Sequence, residues 1–511
     1  MSTLHDLCRW ARELSWDAVP SPVQQGARLQ HLSAAGAVRL GQASPLAPAV
    51  FAGCAPRGAS AVIGSERRLS RRDSVHVHAT LAGSLDFGDV VLWASPGQAS
   101  SIAGWALAGR APLRELLTAT VAANEVAGRI GLAHLLASGA GPDWSGLQSL
   151  AAALTASRLL GLDADQTTHA AALALGSGTR LPALNDALRG QQLAQAIQAG
   201  LQAAELAQEG VQGPTDLLDR PELLQQLGVP VVLRGAYAGL GSSWISETLL
   251  IKRLPVGLYA HAACDALLTV LQRHMRAADK RLRPDQWIDC RIRASWPTWV
   301  MAGASNPQGR GWHLPTLFGV LGKGHALGPE QLDPAWLAQE AAAIEPVAAT
   351  VQVEHWWPHT LRAGLDLMGS LGPLLADVGL PALRNAAHGL GSHGRKAPRP
   401  GREELVALLR KRPTDLLSAL DGVDAGDLTQ VDLSSFRYTA PVDIRLSTTR
   451  GGFWPETRMG PDGGPGTSMA DRIEHVTAKF AQGSAEHAEK VPNLLLLDDQ
   501  VDGQAWVDAL V

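Results

Sequence analysis

Two acids stand three residues apart in Leu85-Asp86-Phe87-Gly88-Asp89, on otherwise apolar chain. Asp86 in such a setting serves either as a base or substrate-orienting acid, or as a helix cap or hydrogen-bonded structural carboxylate. Asp89 has the same two readings, with the structural one ahead. His261, between Ala260 and Ala262, offers either an acid/base near neutral pH or an imidazole satisfied by the backbone. His76 and His78 are two apart, so a strand would put both on one face. Two histidines without a third ligand do not make a metal site. His355-Trp356-Trp357-Pro358-His359 has the indoles to line an apolar pocket, with plain packing as the alternative. Ser177-Gly178-Thr179 lacks the context of a nucleophile elbow, and Gly239-Leu240-Gly241 is too little for a nucleotide loop. Neither a metal nor a cofactor is expected.

These groups need a scaffold, and most of it reads as helix. The stretch from Arg180 to Pro214 is the central one. Leu193, Ile197, Leu201 and Ala204 share one face, and its Ala and Gly positions let another backbone come close. Gly210 and Gly213-Pro214 end it. Helices are also predicted over 4–20, 23–43, 111–137, 150–160 and 167–175, with a short buried element at 50–54. The region is almost all α to about residue 250. Then residues 286–296, 348–356 and 436–447 alternate like strands, with helices at 314–321 and 334–343 between them. Residues 359–430 look like an insertion, with a helix at 403–411. Residues 460–466, GPDGGPG, read as a linker. Helix returns at 468–480. The expected organisation is a helical part over 1–262, an α+β part over 263–463 with the insertion around 359–430, and a helical return over 464–511.

Composition narrows the class. With 511 residues, two domains are the prior. Net charge is -4 and the densest basic run, Arg67-Arg68 to Arg71-Arg72, is short, so no nucleic-acid partner is expected. No apolar run is long and unbroken enough to span a bilayer, so no membrane role is expected. Four scattered cysteines without metal or redox spacing suit reduced thiols in a cytoplasm. The charged, amphipathic start does not read as a signal peptide.

Several segments in order resemble the MmgE/PrpD family, which includes 2-methylcitrate dehydratase and cis-aconitate decarboxylase. LDFGD at 85–89, EVAGRIG at 125–131, ASRLLGLDADQ at 156–166 and AGLQAAELAQEGVQGPTDLLD at 199–219 carry the likeness. KRLPVGLYAHAACDAL at 252–267 and WHLPTLFGVLGKGHALGPEQL at 312–332 extend it. The resemblance implies a mostly α, two-domain fold with a smaller α+β lid, no metal, and a homodimer. It implies proton abstraction beside a carboxylate of a small organic acid, then loss of water or carbon dioxide, or reprotonation.

This sequence departs from the family pattern at named places. Ser95 stands for the histidine of HPS, Arg189 for a lysine, Gln192 for its partner histidine, and Leu258 for a carboxylate-gripping arginine. Thr316 stands for a tyrosine, while His261 keeps the family's histidine. Arginine stays protonated at ordinary pH and so binds anions instead of acting as a base. The resemblance therefore makes Asp86, His261 and His313, where lid meets core, the candidate catalytic residues. Asp89, His78, Ser95, Arg189, Gln192 and Thr316 are the candidate substrate-binding set. Three readings stay open: a divergent lyase or isomerase on a substrate less charged than 2-methylcitrate or cis-aconitate, an inactive paralogue that binds or scaffolds, and a small-molecule carrier that uses the family's cleft without chemistry. Sedimentation of the purified chain should give a two-chain species if the family's dimer is kept, and a monomer would count against it.

Overall fold

Small and apolar residues recurring every three or four positions fold most of this chain as helix. The computed structural model describes residues 2–55, 57–138, 144–178, 186–220, 222, 234–303, 310–391, 400–404, 426–449 and 451–511. Helices α1 (Thr3–Glu13), α2 (Ser21–Gly41) and α3 (Ala47–Ala52) open it. A hairpin of β1 (Ser60–Val62) and β2 (Ser65–Leu69) follows. Then come α4 (Arg71–Ser84), α5 (Gly97–Ala106), α6 (Leu113–Ser138), α7 (Trp144–Leu159), α8 (Ala164–Gly176) and α9 (Asp186–Gln208). Local signals set the ends. The Ser70 hydroxyl caps α4 by accepting from Asp73 N, and Asp163 with Gln166 forms a capping box on α8.

Helix α9 carries the small-residue face read from the sequence, and it packs on α4, α7 and α8. Two glycines explain how close it comes. A Cβ on Gly190 would lie 2.4 Å from Thr80 O, and one on Gly200 would lie 2.2 Å from Ser149 O. Leu193, Ile197, Leu201 and Ala204 all join the main core.

Past residue 255 a second core forms around a four-stranded sheet. Its elements are α10 (Leu258–Ala278), β3 (Trp287–Ala294), α11 (Trp296–Ala302), α12 (Leu314–Lys323), α13 (Pro334–Gln339), α14 (Ala341–Ala348), β4 (Val351–His355), the long α15 (Trp357–Gly391), β5 (Val442–Thr448) and β6 (Phe453–Arg458). The strand order is β4-β3-β5-β6, with β3 parallel to β4 and the other pairs antiparallel. Cys290, Ile292 and Ala294 on β3, with Val442, Ile444 and Leu446 on β5, bury one face. Helices α16 (Met469–Ala481), α17 (Ala485–Leu496) and α18 (Gly503–Leu510) return to the main core through Val476, Phe480, Val491 and Trp506. The result is mainly α with an α+β part. No helix of the described residues is long and apolar enough to cross a membrane.

Several expectations need correcting. Residues 71–84 are helical, so His76 and His78 do not share a face; Ser70 supplies the cap that starts this helix. The predicted 50–54 element is the end of α3, and the β1–β2 hairpin beyond it was not foreseen. The predicted strand over 436–447 begins only at Val442, after Pro441. Strand β6 was missed because Pro455 sits inside it, a residue that edge strands tolerate. The 359–430 segment does not stay with the sheet. Leu371 and Leu374 of α15, and Leu428 beyond it, bury in the main core. Most of the predicted 403–411 helix and residues 180–185 of the central stretch lie outside the described residues.

EVAGRIG now has a physical role. Glu125 and Arg129, one turn apart on α6, form a fully buried ion pair. Glu125 also accepts from Ile245 N at 3.0 Å, Ser246 N at 2.8 Å and Ser246 Oγ at 2.7 Å. Arg129 donates to Ser243 O at 2.7 Å. The pair clamps residues 243–246 onto α6, just ahead of the segment that carries Lys252. Glu125→Ala strands a buried guanidinium and should cost about 3–5 kcal/mol of stability. Urea unfolding of the two proteins measures this, and a loss under about 1 kcal/mol would refute it.

Candidate active site

Asp86 lies just past the C-terminal end of α4, with its side chain 19% exposed. Lys252 answers it. The Nζ lies 2.5 Å from Asp86 Oδ1 and also donates to Asp86 O at 3.1 Å and to Val256 O at 3.2 Å. The lysine thus ties the 85–87 turn to the loop before α10, and its side chain is 3% exposed. Arg189 on α9 donates to Ser84 O at 3.5 Å. Burial pushes the Asp86 carboxyl up, but Lys252 and then Arg189 outweigh it, so the group sits below its ordinary value. Asp86 is a carboxylate at neutral pH.

His261 is fully buried on α10. Its Nε2 accepts from Leu254 N at 3.1 Å, so Nδ1 carries the proton and donates to Asp265 Oδ2 at 3.2 Å. Both ring nitrogens are in use. Asp265 is also paired with Arg253 and accepts from Asp462 N at 3.0 Å. Burial pushes the Asp265 carboxyl up, yet His261 and Arg253 prevail and hold it far below the usual range. The GPDGGPG segment is therefore not a free linker. Ile251 N also donates to Gly463 O at 3.0 Å, and a Cβ on Gly463, at φ 93°, would lie 2.1 Å from Ile251 O.

Asp89 is buried and spent on structure. It accepts from Ser33 Oγ at 2.8 Å and faces Lys479 Nζ at 3.6 Å. Lys479 also donates to Ser33 Oγ at 2.7 Å and Phe87 O at 2.6 Å. Burial works against both charges: the Asp89 carboxyl is raised and the Lys479 ammonium lowered to about 8.

The remaining candidates are less central. His78 is buried where Ile63 N donates to its Nε2 at 3.0 Å, edge-on to Trp105. It pins the β1–β2 hairpin to α4. His313 precedes α12, and its Nδ1 lies 2.7 Å from Thr316 Oγ1. Gly257 N donates to Gly311 O at 2.9 Å, and a Cβ on Gly257 would lie 2.2 Å from the Trp312 ring, so this pair sits against the start of α10. Ser95 is half-buried in the turn before α5, and Gln192 is half-buried one turn along α9 from Arg189. The fold thus brings Asp86, Arg189 and His261 together, holds Asp89 beside them, and leaves His78 on the hairpin. Sequence reading passed over Lys252, Arg253, Asp265 and Lys479. Lys252 and Arg253 open the KRLPVGLYAH segment, and Asp265 follows His261 at helical i+4 spacing, so both signals were present. Among the described residues no three His, Cys, Asp or Glu side chains cluster as a metal site.

Residues 5–229 match the MmgE/PrpD N-terminal domain. The likeness to the MmgE/PrpD family is thus shown for residues 5–229. No curated protein matches the chain. The matched region includes Asp86, Asp89 and Arg189; Lys252 and His261 lie beyond it.

His78 makes a pH prediction. Burial lowers its imidazole from 6.5 to about 4. Below pH 6.5 the unfolded chain takes up a proton that the folded chain refuses, so stability falls as pH drops from 6.5 towards 4. The full loss is about 3 kcal/mol. Melting curves between pH 7 and pH 4 should show a shallower decline for His78→Gln, and an unchanged slope would contradict this.

Proposed function

We propose that this protein is an MmgE/PrpD-type lyase or isomerase that removes a proton beside a carboxyl or carbonyl group of a small organic acid. The observation that carries this reading is the Lys252–Asp86 pair, held by backbone carbonyls where α4, α9 and the loop before α10 meet. Asp86, ionised at neutral pH, takes the proton. The Lys252 ammonium offsets the charge that develops on the substrate oxygen. Arg189 binds the substrate's carboxylate, and His313 with Thr316 is the further pair proposed to contact the substrate. His261, with both nitrogens engaged, acts through Asp265 and Arg253 as a positioning group.

The charge pattern supports a modestly charged substrate. Asp86, Asp89 and Asp265 are matched by Lys252, Lys479 and Arg253, with Arg189 alongside. Such one-for-one matching leaves little uncompensated positive charge, where a tricarboxylate needs much more. A second reading, an inactive relative that binds or scaffolds, draws on the depressed Asp86 carboxyl, a weak base, and on the fully engaged His261 ring.

The test has two steps. A ligand of the native state raises the melting temperature, so mono-, di- and tricarboxylates, acyl thioesters and neutral analogues are screened by thermal shift. Hits are then incubated in D2O and followed by proton NMR for loss of the signal beside the carboxyl group. Exchange or elimination should fall about 10²–10⁴-fold in Asp86→Ala, and Lys252→Met should fall with it. Binding without any exchange would favour the second reading. Silence across the panel from a folded protein would sink the enzyme.

A further inference from the structure

The HWWPH segment holds a feature that the chemistry at Asp86 does not use. A pocket of about 510 Å³ opens where the end of β4 meets α11 and residues 401–404. That volume falls within the range of small-molecule sites. Trp299 and Trp356 give it two indole surfaces. Three carboxylates, Glu354, Glu403 and Glu404, lie in the lining against Arg402. Such a set disfavours anions, while indole faces attract cations.

Arg293 shows how this chemistry treats an organic cation. Its guanidinium lies 4.0 Å from the Trp356 ring centre, 3.0 Å from Glu403 and 3.9 Å from Glu354. Glu404 is used by the backbone, accepting from Trp357 N at 2.9 Å and Gly401 N at 2.7 Å. His355 supplies an independent sign of a ligand. It lines the pocket, is 8% exposed, and bonds Thr360 Oγ1 through Nε2 at 2.8 Å. Its Nδ1 is buried without a partner. A buried polar atom left unpaired costs stability, and a ligand N–H satisfies it.

We propose that this pocket binds a protonated primary amine with a small apolar body. The ammonium lies towards Glu354 and Glu403, one N–H reaches His355 Nδ1, and the apolar body rests on Trp299 and Trp356. The site is built on elements other than those carrying Asp86 and Lys252, so it stands independently of the proposed reaction.

Isothermal titration of the full chain with 2-phenylethylamine tests it, with 2-phenylethanol and 3-phenylpropionate as the neutral and anionic controls. The amine should bind at one saturable site, at least about 10-fold tighter than the alcohol, and the carboxylate should not bind. Trp299→Ala and Glu354→Gln should each weaken the amine at least about 5-fold, with melting temperatures confirming that both variants fold. Asp86→Ala should leave amine binding unchanged. Absence of amine binding at millimolar concentration, equal binding of the alcohol, or indifference to both pocket variants would overturn the proposal.

Discussion

A lysine ammonium taken out of water must find its counter-charge inside the protein, and Lys252 sets the layout of the centre by doing so. Its Nζ joins Asp86 and the Val256 carbonyl, which draws the end of α4 against the start of α10. Lys479 does the same for α2, the 87–89 segment and α16. Arg253 and Asp265 complete the arrangement and reach the 462–463 loop. Buried ion pairs add little net stability, but breaking one is costly. Their effect here is to fix the register of three chain segments far apart in sequence.

That matching also limits the chemistry. Each carboxylate near the centre has its own cation, so the site is not a reservoir of positive charge for a polyanion. Asp86 is kept ionised but less basic, because the same Lys252 that positions it also stabilises its charge. His261 is held in one tautomer between Leu254 N and Asp265, an arrangement suited to orienting neighbours. Asp89, three residues past Asp86, belongs to the scaffold because Ser33 and Lys479 enclose it.

The two cores are bridged by backbone and side chains from both ends of the chain. Helix α15 starts beside the sheet at Trp357 and buries Leu371 and Leu374 in the main core. Residues 250–257 and 462–463 run between the cores and carry the ion pairs. A centre built this way depends on connecting segments, which is where functional residues concentrate when a rigid scaffold holds them.

The sequence by itself determined the helices, because their apolar spacing, Ser and Asp caps and glycine stops are local. It also determined the α9 packing face and three of the four sheet strands approximately, and its motifs carried the family. Tertiary structure alone decided which partner each titratable group meets. Asp86 and Asp89 look alike in LDFGD, yet one meets Lys252 at the end of a helix and the other meets Lys479 and Ser33 in the core. His76 and His78 differ because a helix, unlike a strand, turns them apart, and only His78 meets the hairpin. The reason is physical: propensity and periodicity act over a few residues, whereas a buried charge is paired by partners that can lie hundreds of residues away, such as Lys479 for Asp89.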